Sequence, residues 1–352
     1  MRITSFLLPL FMLLSLTGCN RVETLVRLHG KTMGTTWSLT ISNPPAEFQE
    51  IQLQQQVEEL LENINALMST WRADSEISRF NTSTSTGWID VSPQTHSLLQ
   101  EAVQIHQLSG GAFDPTVSPL VELWGFGHTL PEHGIPDDLQ IKSKLQHTGL
   151  ENLRLNDSAK RMRKTIPQLQ LDLSAIAKGY AVDEVARLVS TQDIQNYLVE
   201  IGGEIRVAGK NPEGETWRVA VEYPHNEKLR SAAALLSLTD AAIATSGDYR
   251  NFVEIDGKRY SHIIDPLTGR PVTHNPASVT LISRECLSAD AWATAFSVIG
   301  THKGVELANS LQIAVMFIER DGDKLTATHS HKMMKYIVNS SSQTQFSESG
   351  GE

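Results

Sequence analysis

The stretch from Leu169 to Ser190 sets the hardest condition on how this chain can fold. Leu169, Leu171 and Leu173 alternate with polar residues, which is the two-residue period of a half-buried strand. From Ala175 the period changes, and Ile176, Val182, Val185, Ala186 and Val189 recur at helical spacing until about Ser190. Asp172 and Lys178 therefore flank an expected strand-to-helix junction. Such a junction offers free backbone N–H groups and a positive dipole end to an anion. A carboxylate beside it could hold a cation, so phosphate plus metal is the first reading. The local pattern equally fits an ordinary βα unit in which Ser174 caps the helix and Lys178 sits in solvent. The rest of the chain decides between the two.

Before this stretch, alternation predicts a strand over Trp37–Ile41, led in by Met33-Gly34-Thr35. A long amphipathic helix is expected over 47–68, a short helical turn from Asp74, and a strand at 88–91. Ser92-Pro93 starts a helix that runs to Gly110-Gly111. Ala112-Phe113-Asp114-Pro115 and Trp124-Gly125-Phe126-Gly127 then form an irregular, aromatic-rich segment of the kind that serves a site rather than a scaffold. A short helix is expected at 137–146 and a hairpin around Asn156-Asp157. After the central stretch, Tyr197–Ile201, Gly202-Gly203 and Glu204–Ala208 read as strand, tight approach, strand. Strands at 217–222, 233–238, 252–255, 258–260, 278–283 and 312–318 and helices from Ala289 and at 303–310 complete an α+β pattern of largely antiparallel sheets with packed helices.

The N-terminus is of another kind. Arg2, an apolar run from Phe6 to Leu16, and Leu16-Thr17-Gly18-Cys19 resemble a bacterial lipoprotein signal. The expectation is a signal peptide over 1–18, lipidation of Cys19, a polar tether over 19–30, a catalytic domain over 31–335 and a disordered tail over 340–352. Cys286 is the other cysteine and is expected to be a buried, inert thiol. The net charge of −10 and the lack of a long basic run speak against nucleic-acid binding.

Asp114, Asp172 and Asp290 sit in surroundings where acids are rarely found unless paired or bound to metal. Asp290 and Thr294 are four apart and share a helical face, and such oxygen donors suit Mg²⁺ or Ca²⁺. No Cys/His cluster has zinc spacing, and no P-loop, G-x-S-x-G or dinucleotide fingerprint appears. His262, between a hairpin and an Asp-Pro turn, is a candidate general base or a histidine merely satisfied in its turn.

Taken in order from about residue 28 to 330, these segments resemble the ApbE family of FAD:protein FMN transferases. The matches are Met33-Gly34-Thr35, Met68-Ser69-Thr70-Trp71 through Phe80-Asn81, Gly111-Ala112-Phe113-Asp114-Pro115, and Trp124-Gly125-Phe126-Gly127. They continue with Asp172 through Ala181, Gly202-Gly203, Thr245-Ser246-Gly247, Ser261-His262-Ile263-Ile264-Asp265-Pro266, and Ala289-Asp290-Ala291-Trp292 through Ala295. The resemblance implies a Mg²⁺-dependent transfer of FMN from FAD to a threonine or serine hydroxyl of a partner protein, with release of AMP. It implies FAD contacts at Met33, Trp71, Ala112, Phe113, Asp114, Asp172, Lys178 and Ile264. It implies metal contacts at Asp290, Thr294 and the carbonyl of Ala175, and His262 as base. Some members carry an acid where Ala293 stands here. Expected acceptors are flavoprotein subunits of membrane redox complexes of the Na⁺-pumping NADH:quinone reductase or Rnf type, met on the periplasmic side of the bacterial inner membrane. The rival readings are a FAD pyrophosphatase yielding free FMN and AMP, and a non-catalytic FAD-binding lipoprotein.

Overall fold

The computed structural model describes residues 24–127, 134–223, 232–247, 252–255, 258–273, 276–321 and 324–338. Cys19, the signal segment and the tail at 340–352 lie outside the described residues. The frame is an eight-stranded antiparallel sheet. Its strands in chain order are β1 (Leu25–Thr32), β2 (Thr35–Ser42), β3 (Tyr197–Ile201), β4 (Glu204–Ala208), β5 (Ala241–Gly247), β6 (Pro276–Ser283), β7 (Ala314–Asp321) and β8 (Lys324–His329). They are hydrogen-bonded in that same order, so each strand pairs with its predecessor in the sheet. The long excursions are inserted between β2 and β3, β4 and β5, β5 and β6, and β6 and β7.

Alternation decides which face each residue takes. On β7, Val315 and Phe317 enter one core with Trp37, Leu39 and Ile41 of β2, whereas Ala314, Met316 and Ile318 enter the core on the opposite face. The first face is covered by the helices α1 (Glu50–Met68), α3 (Pro93–Leu108), α6 (Ser174–Ser190) and α7 (Cys286–Ile299). The other is covered by the hairpin of Trp217–Glu222 and Ala232–Leu238. The remaining helices are α2 (Glu76–Thr82), α4 (Ser118–Leu123), α5 (Asp138–Leu145) and α8 (Thr301–Ser310). The α+β architecture with antiparallel pairing is as the sequence implies. None of the helices in the described residues is long and apolar enough to cross a membrane. Cys286 is fully buried, and burial raises its thiol pKa well above the usual value.

Two expectations need correction. Residues 25–30, read as tether, belong to β1. Val26 and Leu28 pack on the core, while Arg27, His29 and Lys31 alternate away from it. The turn at Met33-Gly34 (φ 48° and 71°) then lets this edge strand pair with β2 along its whole length. The second correction concerns Leu169–Leu173, whose three leucines are fully buried but which is not a strand. Its backbone partners are not another strand. The side chain of Asn81 takes both groups of Leu171: Leu171 N–H donates to Asn81 Oδ1 and Asn81 Nδ2 donates to the Leu171 carbonyl, each at 2.8 Å. The Asp172 N–H donates to the Pro115 carbonyl (2.7 Å). An alternating burial pattern needs only two-sided surroundings, and here loop and side-chain partners supply them.

Candidate active site

The N-terminal turn of α6 is where the site is built. Its cap residue is Leu173, which has no side-chain oxygen. The capping role that an ordinary βα unit would give Ser174 passes to Asp172, whose Oδ1 accepts the Ser174 N–H at 2.9 Å. Ser174, Ala175 and Lys178 then line a cavity of about 460 Å³. Ala112, Phe113, Asp114, Asp172, His262, Ile264, Asp290 and Thr294 line the same cavity. Met33 and Trp71 line a second cavity of about 470 Å³, together with Met68, Ser174 and Lys178. The two cavities therefore meet at Ser174 and Lys178. Every site residue inferred from the sequence that falls within the described residues borders one or the other.

The walls are held by their own hydrogen bonds. Thr116 donates to Asp114 Oδ1 from both its N–H (2.8 Å) and its hydroxyl (2.6 Å), which folds the loop after Phe113 back on itself. Burial raises the Asp114 carboxyl pKa, and the two Thr116 bonds oppose that rise. His262 is carried on a loop that is braced internally. Leu267 N–H and the Thr268 hydroxyl donate to the two oxygens of Asp265, and Val272 N–H donates to the Ile263 carbonyl. Trp124 Nε1 donates to the Gly269 carbonyl at 2.8 Å, tying the loop to α4. The His262 ring stands edge-on to Phe126 with centroids 6.3 Å apart. At the far end, Met33 sits at a positive φ of 48°, a conformation that favours Asn or Gly in such a turn. Backbone strain of this kind gathers at ligand sites. Trp71 is 72% exposed at the rim of the second cavity, its backbone N–H donating to Ser69 Oγ (3.2 Å).

Electrostatically the junction is crowded. Lys178 Nζ lies 2.5 Å from Glu204 Oε1 and 3.9 Å from Asp290 Oδ1. The two carboxylates raise the Lys178 pKa above the ordinary lysine value in spite of its burial. Glu204 is itself pushed up to about 7, first by burial and then by the Asp290 charge, with Lys178 opposing both. Asp290 Oδ2 accepts the Gly179 N–H at 3.0 Å. In a regular helix that N–H pairs with the Ala175 carbonyl, so Asp290 and Ala175 address the same donor.

This donor set suits a hard divalent cation. An aspartate oxygen, a threonine hydroxyl and a helical carbonyl are all oxygen ligands. Among the described residues no group of three His, Cys, Asp or Glu side chains has metal-binding proximity. Ala293 is fully buried and contributes no acid.

Glu204 is one of two acids that reading the sequence missed. It follows Gly202-Gly203 at the head of β4, is almost fully buried and lines the first cavity. Acids are depleted in strands, and a glutamate opening a strand after two glycines was the available signal. A second missed acid, Asp183 on α6, is buried and paired with Arg206 of β4. Its oxygens accept the N–H groups of Cys286 (3.0 Å) and Leu287 (2.9 Å). It thereby caps α7, the helix bearing Asp290 and Thr294, which has no side-chain cap of its own.

The chain is similar to known proteins along most of its length. The family model described as "ApbE family" matches residues 33–317. The chain is 44% identical over 330 residues to the FAD:protein FMN transferase of Vibrio cholerae serotype O1, covering 93% of this chain and 98% of that protein. It is 39% identical over 313 residues to the FAD:protein FMN transferase of Escherichia coli K12, covering 88% and 89%. Among solved structures, the flavin transferase ApbE from Vibrio cholerae superposes with a TM-score of 0.83 at 42% identity, covering 89% of this chain and 99% of that one. The apo form of the Pseudomonas stutzeri flavinyl transferase ApbE superposes with a TM-score of 0.81 at 35% identity, covering 89% and 97%. With a family model spanning most of its length and relatives of this similarity, the chain belongs to the ApbE family.

Proposed function

We propose that the chain is a FAD:protein FMN transferase, moving FMN from FAD to a threonine or serine hydroxyl of a partner flavoprotein and releasing AMP. The observation that carries this reading is the meeting of two cavities at Ser174 and Lys178. A dinucleotide has the same form, two ring systems joined by a pyrophosphate. The junction offers that pyrophosphate a helix N-terminus and an ammonium. Trp71 and Met33 offer a planar ring an apolar, stacking wall in the second cavity. Ala112, Phe113, Asp114, Asp172 and Ile264 bound the first.

The charge balance supports a cation requirement. Among the described residues, Asp114, Asp172, Glu204 and Asp290 line the first cavity against one ammonium, Lys178. A pyrophosphate adds further negative charge, so a counter-charge has to accompany it. Asp290, Thr294 and the Ala175 carbonyl would hold Mg²⁺, which would offset the phosphate charge as the P–O bond breaks. His262 takes the proton of the acceptor hydroxyl. The hydroxyl oxygen forms its bond to the FMN phosphorus, the pyrophosphate P–O bond breaks, and the electron pair leaves with AMP. A lipid anchor at Cys19 would hold the enzyme on the periplasmic side of the inner membrane, near acceptor subunits of redox pumps.

The test is incubation with FAD, Mg²⁺ and a candidate acceptor subunit, followed by a denaturing gel. Flavin fluorescence retained on the subunit, with AMP in solution, is the expected result. Free FMN with AMP would instead identify a FAD pyrophosphatase, and intact FAD would identify a non-catalytic binder.

A further inference from the structure

Lys178 stands between two buried carboxylates and is not shared equally. Its ammonium is in contact with Glu204 Oε1 at 2.5 Å and is 3.9 Å from Asp290 Oδ1. Glu204 reaches it from β4 and Asp290 from α7, so the lysine is held from two separate elements. Glu204 Oε2 is buried with no hydrogen-bond partner among the described residues. A buried carboxylate with one oxygen unmatched leans strongly on the partner it has. On Asp290, Oδ2 is engaged by the Gly179 N–H. Oδ1 is then the oxygen for which Lys178 and an incoming cation would compete.

We infer that Glu204 is a positioning residue: it draws the Lys178 ammonium away from Asp290 and so keeps Asp290 Oδ1 open to a divalent cation. The inference rests on the proposed cation site at Asp290. An ammonium seated against Oδ1 would both occupy the oxygen and repel the cation across a short, poorly screened distance. Held by Glu204 on its own side of the cavity, the same ammonium still faces the pyrophosphate site. One lysine can then serve the phosphate beside a metal without displacing it.

The substitution Glu204→Gln keeps the size of the side chain and removes its charge. Lys178 is left with Asp290 as its close anionic partner. The measurement is Mn²⁺ binding to the substrate-free protein, read as the loss of the free-ion resonance signal, in wild type, Glu204→Gln, Lys178→Met and the double variant. The expectation is that Glu204→Gln weakens Mn²⁺ binding about tenfold, which corresponds to about 1.4 kcal/mol. In the Lys178→Met background the same change has less than about a twofold effect, because the residue it acts through is gone. A general loss of packing would not obey that cycle. Unchanged Mn²⁺ affinity in Glu204→Gln overturns the inference alone. An equal loss in both backgrounds also overturns it, since Glu204 would then act on the ion directly. A wild type that binds no Mn²⁺ overturns the cation site and this inference together. Should Glu204→Gln not fold, Glu204→Asp, which keeps the charge but retracts it by one methylene, carries the same cycle.

Discussion

The Gly179 N–H of α6 donates to Asp290 Oδ2 of α7 at 3.0 Å, and this bond sets how closely the two helices bearing the site approach. The approach needs glycine for room. A Cβ on residue 179 would lie 2.4 Å from the Cys286 carbonyl oxygen and 2.8 Å from Asp290 Cβ. Alanine is the better helix former by about 1 kcal/mol, yet the clash is with backbone and cannot be relieved by a rotamer change. Overpacking of this kind costs about 1–3 kcal/mol, so the clash wins. For Gly179→Ala we expect a net loss of stability of about 1–2 kcal/mol in denaturant unfolding. Transfer should fall about 100-fold, because α7 is pushed away from α6 and the site is misaligned. Full activity would mean that Asp290 does not need its present position.

How much of this was legible beforehand depended on whether local pattern and tertiary partner agreed. The hairpin of Tyr197–Ile201 and Glu204–Ala208 was read to the residue, because alternation and a Gly-Gly turn specify the same pairing. The end of α6 at Ser190 was equally clear. The segment at 169–173 departs from its pattern because buried leucines alternating with polar residues look alike whether the backbone is bonded to a strand or to the Asn81 side chain. Residues 25–30 were misread because an edge strand with Arg27, His29 and Lys31 facing outward is as polar as a tether. Glu204 was overlooked for a different reason. Its meaning lies in Lys178, distant in sequence, and no local period reports a charge partner.

His262 is proposed to move one proton, so its replacement separates chemistry from binding. In His262→Asn the loop retains its bracing by Asp265 and Trp124. We expect FAD affinity within about threefold of wild type and transfer reduced by about 10²–10⁴, the usual worth of a positioned base. Equilibrium binding followed by flavin fluorescence, with single-turnover transfer on the same samples, checks both. Undiminished transfer would remove His262 from the mechanism.

Trp71 offers its face rather than its bulk. At 72% exposure it adds little to the core, and Trp71→Ala should change stability by no more than about 0.5 kcal/mol. Stacking a ring system on an aromatic side chain is worth about 1–3 kcal/mol. The KM for FAD should therefore rise about tenfold or more while kcat stays within about twofold. A fall in kcat at unchanged KM would place Trp71 in the transition state instead of in binding.

Lys164 gives the segment leading into the site a pH-dependent anchor. It is 1% exposed, its Nζ donates to the Leu169 carbonyl at 3.0 Å, and the ammonium lies 4.7 Å from the centre of the Phe80 ring. Burial lowers its pKa below the ordinary lysine value of 10.5. The sign follows from proton counting. Between the depressed folded pKa and 10.5, the unfolded chain holds the proton that the folded chain has shed, so stability from this group rises with pH across that window. Below the window the ammonium is buried at a cost. Lys164→Met removes the titration and leaves the other groups in place. The unfolding free energy of wild type minus that of Lys164→Met should therefore increase as pH approaches 10.5, with a slope of at most about 1.4 kcal/mol per pH unit. Denaturant titrations of the two proteins from pH 8 to 10.5 at fixed ionic strength measure it. A difference that stays flat would show that the amine titrates in the fold as it does in the unfolded chain, and that the Leu169 carbonyl and the Phe80 face fully replace the water it has lost.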